Sequence, residues 1–371
     1  MVSMKMSLLS FLTFLLSAAA VYLAINYFVY WRIASGLGLS AQLRNVIKIL
    51  FLILAASFFL AQFFRHCPIA MPLGHVGAVW MGIISIALSV FIIQMFFAFI
   101  FPRQAHALTF FSIGLVVLAS GYSLYNGLRP QRITTLEIPI TGLPESLSGF
   151  SIVQIADIHL DRWKSARWFE SIVDRCNEHH PDLMVIVGDL IDEDIRNDDG
   201  FVGALRKLRS PNGVLAVTGN HEYYAGVETF YDLCHSLGIT VLRNSCVTIA
   251  DSLDILGVED PTGKSFDGIG ADLDKAVEHH DPAKPAILLS HQPLYFDQAV
   301  AKGVSLQLSG HVHAGQLPPM DAIVMFYYKY AYGLFRVGSA HIYTSSGTGT
   351  WAPPMRLFSR SEIVKIVLRP A

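Results

Sequence analysis

"SIVQIADIHL", Ser151 to Leu160, begins as an apolar run and closes on an aspartate and a histidine with one residue between them. Other runs further along end the same way. "DLMVIVG" (182–188) leads into Asp189 and Asp192, and "GVLAVTG" (213–219) into Asn220, His221 and Glu222. "AILLS" (286–290) leads into His291, and "VSLQLSG" (304–310) into His311 and His313. Short, nearly continuous apolar runs are strands buried on both faces. Between them "SARWFESIVDRCNEHH" and "GVETFYDLCHSLG" have helical periodicity, the second stopping at Gly238 as a helix C-cap does, and "DGIGADLDKAVEHH" reads as a third helix. The alternation is that of an α/β layered domain. In open α/β sheets ligands bind at the carboxyl ends of strands, and here those ends deliver Asp, Asn and His.

The spacing suits metal. On an extended backbone, side chains at i and i+2 point the same way, so Asp157 with His159, and His311 with His313, each present two donors to one side. Gly188, Gly219 and Gly310 just before the polar residues permit tight turns and close backbone approach. Carboxylate, imidazole and amide oxygen without thiolate suit Mn, Fe, Zn, Co or Ni. The donors exceed what one ion needs, so two divalent ions bridged by a carboxylate are the natural solution. The 4 cysteines have no paired spacing and read as small buried residues.

Composition divides the 371 residues in two. No Asp or Glu occurs from Met1 to Thr135, and all 29 acidic residues follow. The first part holds four apolar stretches near the roughly 20 residues a membrane-crossing helix needs: about 8–30, 46–64, 76–101 and 108–128. The expected organisation is a transmembrane region of about four helices over 1–130 and an α/β domain over 131–371. No ionisable residue sits deep in a stretch, which argues against a transporter and for an anchor or a lipid-facing entrance. Lys5, Arg65, Arg129 and Arg132 balance Arg32, Arg44, Lys48 and Arg103 across the membrane, while the charges flanking the first helix favour an outside N-terminus and an extracytoplasmic α/β domain. The expected location is the cell (inner or plasma) membrane, multi-pass. With net charge −2 and no basic run in the second part, no nucleic-acid partner is expected.

The ordered set DxH, GDxxD, GNHE, H and GHxH resembles the calcineurin-like metallophosphoesterases, from about Ile133 to the C-terminus. The resemblance implies a four-layer α/β/β/α sandwich and hydrolysis of phosphoester or pyrophosphate bonds with two divalent ions, of which Mn, Fe and Zn are the expected candidates. It implies that one ion takes Asp157, His159 and His313, that the other takes Asn220, His291 and His311, and that Asp189 bridges them. A water shared between the ions would attack phosphorus, with His221 as general acid or as stabiliser of the charge developing on the phosphoryl oxygens, and Asp192 orienting the ligand shell. "GDLIDED" lacks the arginine of the serine/threonine phosphatases. "GNHEYYAG", "GVEDP", "LQLSGHVHAGQ" and "SSGTGTWAPPMRLFSRSEIVKIVL" are instead similar to bacterial membrane-associated phosphodiesterases related to UDP-2,3-diacylglucosamine hydrolases, with Val312 and Ala314 replacing the usual Thr and Gly.

"MDAIVMFYYKYAYGLFRVG" (320–338) is too aromatic for a surface loop. It reads either as a buried strand pair or as an apolar approach to the metal site, in which Tyr328, Lys329, Phe335 and Arg336 contact a lipid-linked or nucleotide-sugar lipid phosphate. Glu222 reads as structural, His179 with His180 and His279 with His280 as solvated helix ends, and His235 and His341 as structural. The expected partners are a phosphorylated small-molecule or lipid substrate and membrane lipids. The competing readings are a receptor or scaffold with an inactive phosphoesterase-like domain, and a transporter with a regulatory domain.

Overall fold

The computed structural model describes residues 8–65 and 67–371; Lys5, counted above among the flanking charges, lies outside them. Long helices come first: α1 (Leu8–Gly36), α2 (Ala41–Phe63), α3 (Ala70–Ile100) and α4 (Ala105–Leu128). Among the described residues three segments, Ala41–Phe63, Ala70–Ile100 and Pro102–Leu128, are long and apolar enough to cross a membrane. The helices pack around Val29, Ile84, Phe91 and Val116. A Cβ on Gly77 would lie 2.3 Å from the Phe58 backbone nitrogen, so α2 and α3 meet backbone to backbone. Trp80 Nε1 donates to Asn26 Oδ1 at 2.9 Å and Arg32 donates to Gln94, polar pairs that satisfy each other where lipid offers no partner.

Two six-stranded sheets follow. The first runs in the order β1 (Arg132–Ile140), β12 (Glu362–Pro370), β2 (Ser151–Ile155), β3 (Leu183–Val187), β4 (Val214–Val217) and β5 (Thr240–Val241). The second runs β10 (Gly333–Val337), β11 (Ala340–Thr344), β9 (Val304–Ser309), β8 (Ala286–Leu289), β7 (Leu253–Gly257) and β6 (Ser245–Ile249). Ile152, Val185 and Leu215 of the first sheet meet Ile255, Ile287 and Leu306 of the second in one core. Helices α5 (Ala166–Glu178), α6 (Asp199–Leu205) and α8 (Val227–Ser236) cover the outer face of the first sheet through Phe169, Phe201 and Phe230. Helices α10 (Leu273–Val277) and α11 (Phe296–Ala301) cover the second through Leu273 and Ala299. The result is the four-layer α/β/β/α sandwich. Short helices α7 (Asn220–Ala225), α9 (Gly263–Phe266) and α12 (Met320–Tyr327) lie in the loops.

Strands β2, β3 and β4 are mutually parallel, as are β7, β8 and β9, which opens their carboxyl ends on one side. Both faces of these strands are buried, which explains their unbroken apolar sequence.

Three expectations change. Residues 320–338 are a strand only in part: the segment starts as α12, because Met320, Ile323, Val324 and Tyr327 recur at helical spacing, and it leaves Phe326 95% exposed, while Gly333–Val337 forms β10, a largely exposed strand paired with β11. His280 is not a solvated helix end, since its Nδ1 lies 2.8 Å from the carboxylate of buried Asp254. Cys67 is exposed, unlike buried Cys176 and Cys234.

Candidate metal centre

The chemistry-bearing residues do not sit on the strands. Strand β2 ends at Ile155, and Asp157 and His159 both follow it with φ of 55°. Asp189 after β3 has φ 51°, and His311 and His313 after β9 have φ 73° and 49°. Simple i, i+2 alternation on an extended chain is therefore not what aims these side chains; left-handed turns do it. Each such residue costs on the order of 1–2 kcal/mol, and a concentration of them marks a site whose surroundings hold it in place.

Those surroundings are specific. The buried carboxylate of Glu222 accepts from the backbone N–H groups of Asp189 (2.9 Å), Leu190 (2.7 Å), Ile191 (3.1 Å) and Gly219 (2.6 Å). Asp157 Oδ1 accepts from the His311 N–H and Asp189 Oδ1 from the His221 N–H, both at 2.9 Å, so the loops are tied to one another. A Cβ at Gly219 would lie 2.2 Å from Asp189 Oδ1, and one at Gly310 2.6 Å from Asp157 Oδ2. Only glycine leaves these carboxylates their room.

Ligand atoms of Asp157, His159 and His313 lie within 4.8 Å of one another, and so do those of Asp189, His291 and His311. Asn220 joins the second group, its Oδ1 2.9 Å from His311 Nδ1. Asp189 Oδ2 stands between the groups, 3.1 Å from His291 Nε2 and 3.8 Å from His159 Nε2. His159 Nε2 and His313 Nε2 face each other at 3.0 Å. Asp157 Oδ2 is buried without a hydrogen-bond partner, and His291 Nε2 has only the Asp189 carboxylate beside it. An orphaned buried carboxylate oxygen and converging imidazoles without thiolate fit divalent cations.

The electrostatics of His311 and His313 agree with that fit, whereas in the metal-free protein the Asp189 carboxylate overcomes burial and raises His291 well above the usual imidazole range. Burial pushes the Asp157 carboxyl up to about 6. Burial and the charge of His291 push His311 down to about 3, and burial, His159 and Arg356 hold His313 well below the usual imidazole range. Neutral imidazoles are the form that ligates metal.

Asp192 Oδ1 receives two rings, His159 Nδ1 at 2.7 Å and His221 Nδ1 at 2.9 Å. Burial opposes protonation of His221, but the hydrogen bond to Asp192 and the charge of Asp189 outweigh it and raise the imidazole to about 8. Tyr224 and Trp351 pack on the same ring at 5.3 and 5.9 Å between centroids.

Of the residues expected to contact substrate, Tyr328 packs on His311 at 5.7 Å between ring centroids. The other three are engaged elsewhere. Lys329 pairs with Asp297 at 2.8 Å, Phe335 packs on Tyr330, and Arg336 donates to the Gly338 carbonyl.

Arg356 had no expected role, and nothing local in the sequence distinguishes it. It is fully buried beneath the site, with its guanidinium donating to the carbonyls of His313 (2.9 Å), Ser346 (2.6 Å) and Gly349 (2.8 Å). Its own backbone is held by α4: the Arg356 N–H donates to the Ser123 carbonyl at 2.9 Å, and Asn126 Nδ2 donates to the Arg356 carbonyl at 2.9 Å. Nearby, Ser85 of α3 donates to the Pro318 carbonyl at 2.7 Å, and Ile86 packs on Leu317 and Met355. The long helices thus dock onto the loops that carry His313.

Comparison with known proteins points the same way. The calcineurin-like phosphoesterase family model matches residues 150–315. A transmembrane protein with metallophosphoesterase domain from Danio rerio is 34% identical over 361 residues, covering 88% of this chain and 80% of that protein. That share exceeds the sandwich alone, so the likeness reaches into the helices. An uncharacterized metallophosphoesterase of Helicobacter pylori is 34% identical over 277 residues (73% of this chain, 74% of that one). One from Bacillus subtilis is 32% identical over 274 residues (69% and 92%). With strand-end loops that gather carboxylates, imidazoles and one amide into adjoining clusters, and with relatives of this extent, the chain belongs to the calcineurin-like metallophosphoesterase family.

Proposed function

We propose that the protein is a membrane-anchored hydrolase of phosphoester or pyrophosphate bonds that works with two divalent ions. The observation that carries this reading is the adjoining of the donor clusters Asp157/His159/His313 and Asp189/His291/His311, with Asp189 within reach of both and Asp157 Oδ2 left without a protein partner. Asp157, His159 and His313 would hold one ion, Asn220, His291 and His311 the other, with Asp189 touching both. Bound there, the ions would supply Lewis-acid charge to the phosphoryl oxygens and activate the attacking water.

The chain's own groups account for the rest. Asp192 occupies His221 Nδ1, which leaves Nε2 to give a proton to the leaving oxygen, and the raised His221 keeps that proton at neutral pH. Asp192 also fixes His159 with its Nε2 aimed into the centre, since its Nδ1 is engaged. The substrate is a phosphorylated compound met at the membrane, lipid-linked in the reading favoured here. Helices α2, α3 and α4, with α1 as a fourth span, anchor the enzyme in the cell membrane.

Purified full-length protein supplied with Mn²⁺ should hydrolyse bis(p-nitrophenyl) phosphate. Asp189→Asn should lower that rate by at least about a hundredfold, the scale of losing a preorganised charge that acts on the reacting atoms. A variant as active as the parent would remove Asp189 from the centre.

A further inference from the structure

A cavity of about 650 Å³ joins the long helices to the candidate centre. His221 and Asp192 line it, and so do Phe58 of α2, Ala78 and Met81 of α3, and Leu128 at the end of α4. The volume lies within the ~300–1,000 Å³ that takes up most of a small ligand. Its flanks are fitted rather than loose. A Cβ on Gly74 of α3 would lie 2.5 Å from the Trp163 ring, and one on Gly127 of α4 2.4 Å from the Pro354 carbonyl, so loops of the sandwich press directly on helix backbone. His75 of α3 meets the Trp163 carbonyl through Nε2 at 3.2 Å.

The lining is divided in character. The helices give it apolar side chains beside the polar Gln62 and His75, and the sandwich gives it the indoles of Trp163, Trp168 and Trp351 and the His221 imidazole. Its cationic residues are already committed: Arg162 pairs with Glu193, and Lys164 Nζ donates to the His159 carbonyl at 2.6 Å. A purely ionic solute would find little free charge along this wall. The same helices expose Phe59, Phe63 and Val76 outside the cavity.

We propose that this cavity binds the hydrocarbon chain of a membrane amphiphile whose phosphate ester or diphosphate lies at the metal centre, so that residues of the membrane helices select the substrate. The inference rests on the hydrolase reading and names the substrate class for that same site. A water-soluble phosphoester would need no wall built from α2 and α3.

The test uses full-length protein in lipid nanodiscs with Mn²⁺ and a series of alkyl p-nitrophenyl phosphodiesters from methyl to hexadecyl, in which the bond broken is constant. kcat/KM should rise with chain length, by at most about fourfold per buried methylene. Met81→Trp and Ala78→Leu should each lower the hexadecyl-to-methyl ratio at least tenfold, whereas Phe99→Ala, on the outer surface of α3, should keep it. In parallel, metal-free protein is photolysed with hexadecyl phosphate carrying a diazirine at the chain end. Labelling should fall on residues 58–62 or 78–81, be competed by untagged hexadecyl phosphate, and be lost in Met81→Trp. If the methyl ester turns over but the ratio is the same in both cavity variants, the inference fails and the hydrolase reading stands. If no ester is cleaved, the hydrolase reading fails and the labelling decides the inference: competed labelling at those residues supports it, and scattered or uncompeted labelling overturns it.

Discussion

The guanidinium of Arg356 donates to the carbonyl of His313 at 2.9 Å, while the Arg356 backbone is held by Ser123 and Asn126 of α4. A membrane helix is thereby connected, through one buried side chain, to a candidate metal ligand. His313 sits at φ 49°, a conformation the backbone does not keep unaided, and Arg356 supplies the bond on its carbonyl side.

Arg356→Met should therefore loosen the cluster of Asp157, His159 and His313. The expected loss is about 10–100-fold in affinity for the ion held there, the range seen when a group supporting a ligand is removed. Metal content after dialysis against graded Mn²⁺ measures it, with circular dichroism showing that the fold is kept. Unchanged metal retention would reduce Arg356 to a packing residue.

Glu222 should matter for stability more than for turnover, because its carboxylate caps amides of both the Asp189 and the Gly219 loops. Glu222→Gln keeps the shape but loses the charge and part of the accepting capacity. Burial and the charge of Asp189 raise the Glu222 carboxyl to about 7, so above that pH, where it is charged and its hydrogen bonds contribute about 1.5–3 kcal/mol each, a loss of at least ~2 kcal/mol and a fall in Tm of roughly 4–8 °C are expected in a domain of this size. A thermal unfolding scan in detergent is sufficient to check it.

His221 gives a pH test in the metal-free protein. Its imidazole is raised from 6.5 to about 8 with Asp192 as partner, so the folded state binds the proton more tightly than the unfolded chain does. The stabilisation is complete below about 6.5 and is lost as pH rises through about 8. Asp192→Asn removes the charge on Nδ1 and should bring the His221 titration down toward the ordinary imidazole value, read by NMR of the labelled ring. A midpoint that stays near 8 would assign the shift to the charges of Asp189 and Glu222.

Helix α12 leaves Met325, Phe326 and Tyr327 exposed and starts where Pro318 is bonded to α3. An apolar face beside membrane helices should rest in the interfacial layer of the bilayer. Phe326→Trp in nanodiscs should be quenched more by a nitroxide near the lipid headgroup than by one at the chain end. Equal quenching at both depths, or none, would place α12 away from lipid.

The seven candidate ligands were legible in the sequence because each directly follows a strand, and a buried parallel strand announces itself by unbroken apolar residues with a glycine or polar break at its end. The apolar helices were legible for the same reason: composition over a long window is a local property. The turn geometry was not, since left-handed φ at Asp157, His159, Asp189, His311 and His313 is imposed by bonds from Glu222, Arg356 and the neighbouring loops rather than by residue preference. In the aromatic stretch 320–338 the strand reading holds for Gly333–Val337 but misled for 320–327, whose spacing is helical and which leads to Tyr328 beside His311. By itself the sequence determined which side chains gather and in which layered domain they do so. Only the tertiary structure decided that helices α3 and α4 dock on the loop of His313 and enclose a cavity beside His221, because those contacts join residues far apart in the chain, which no local pattern encodes.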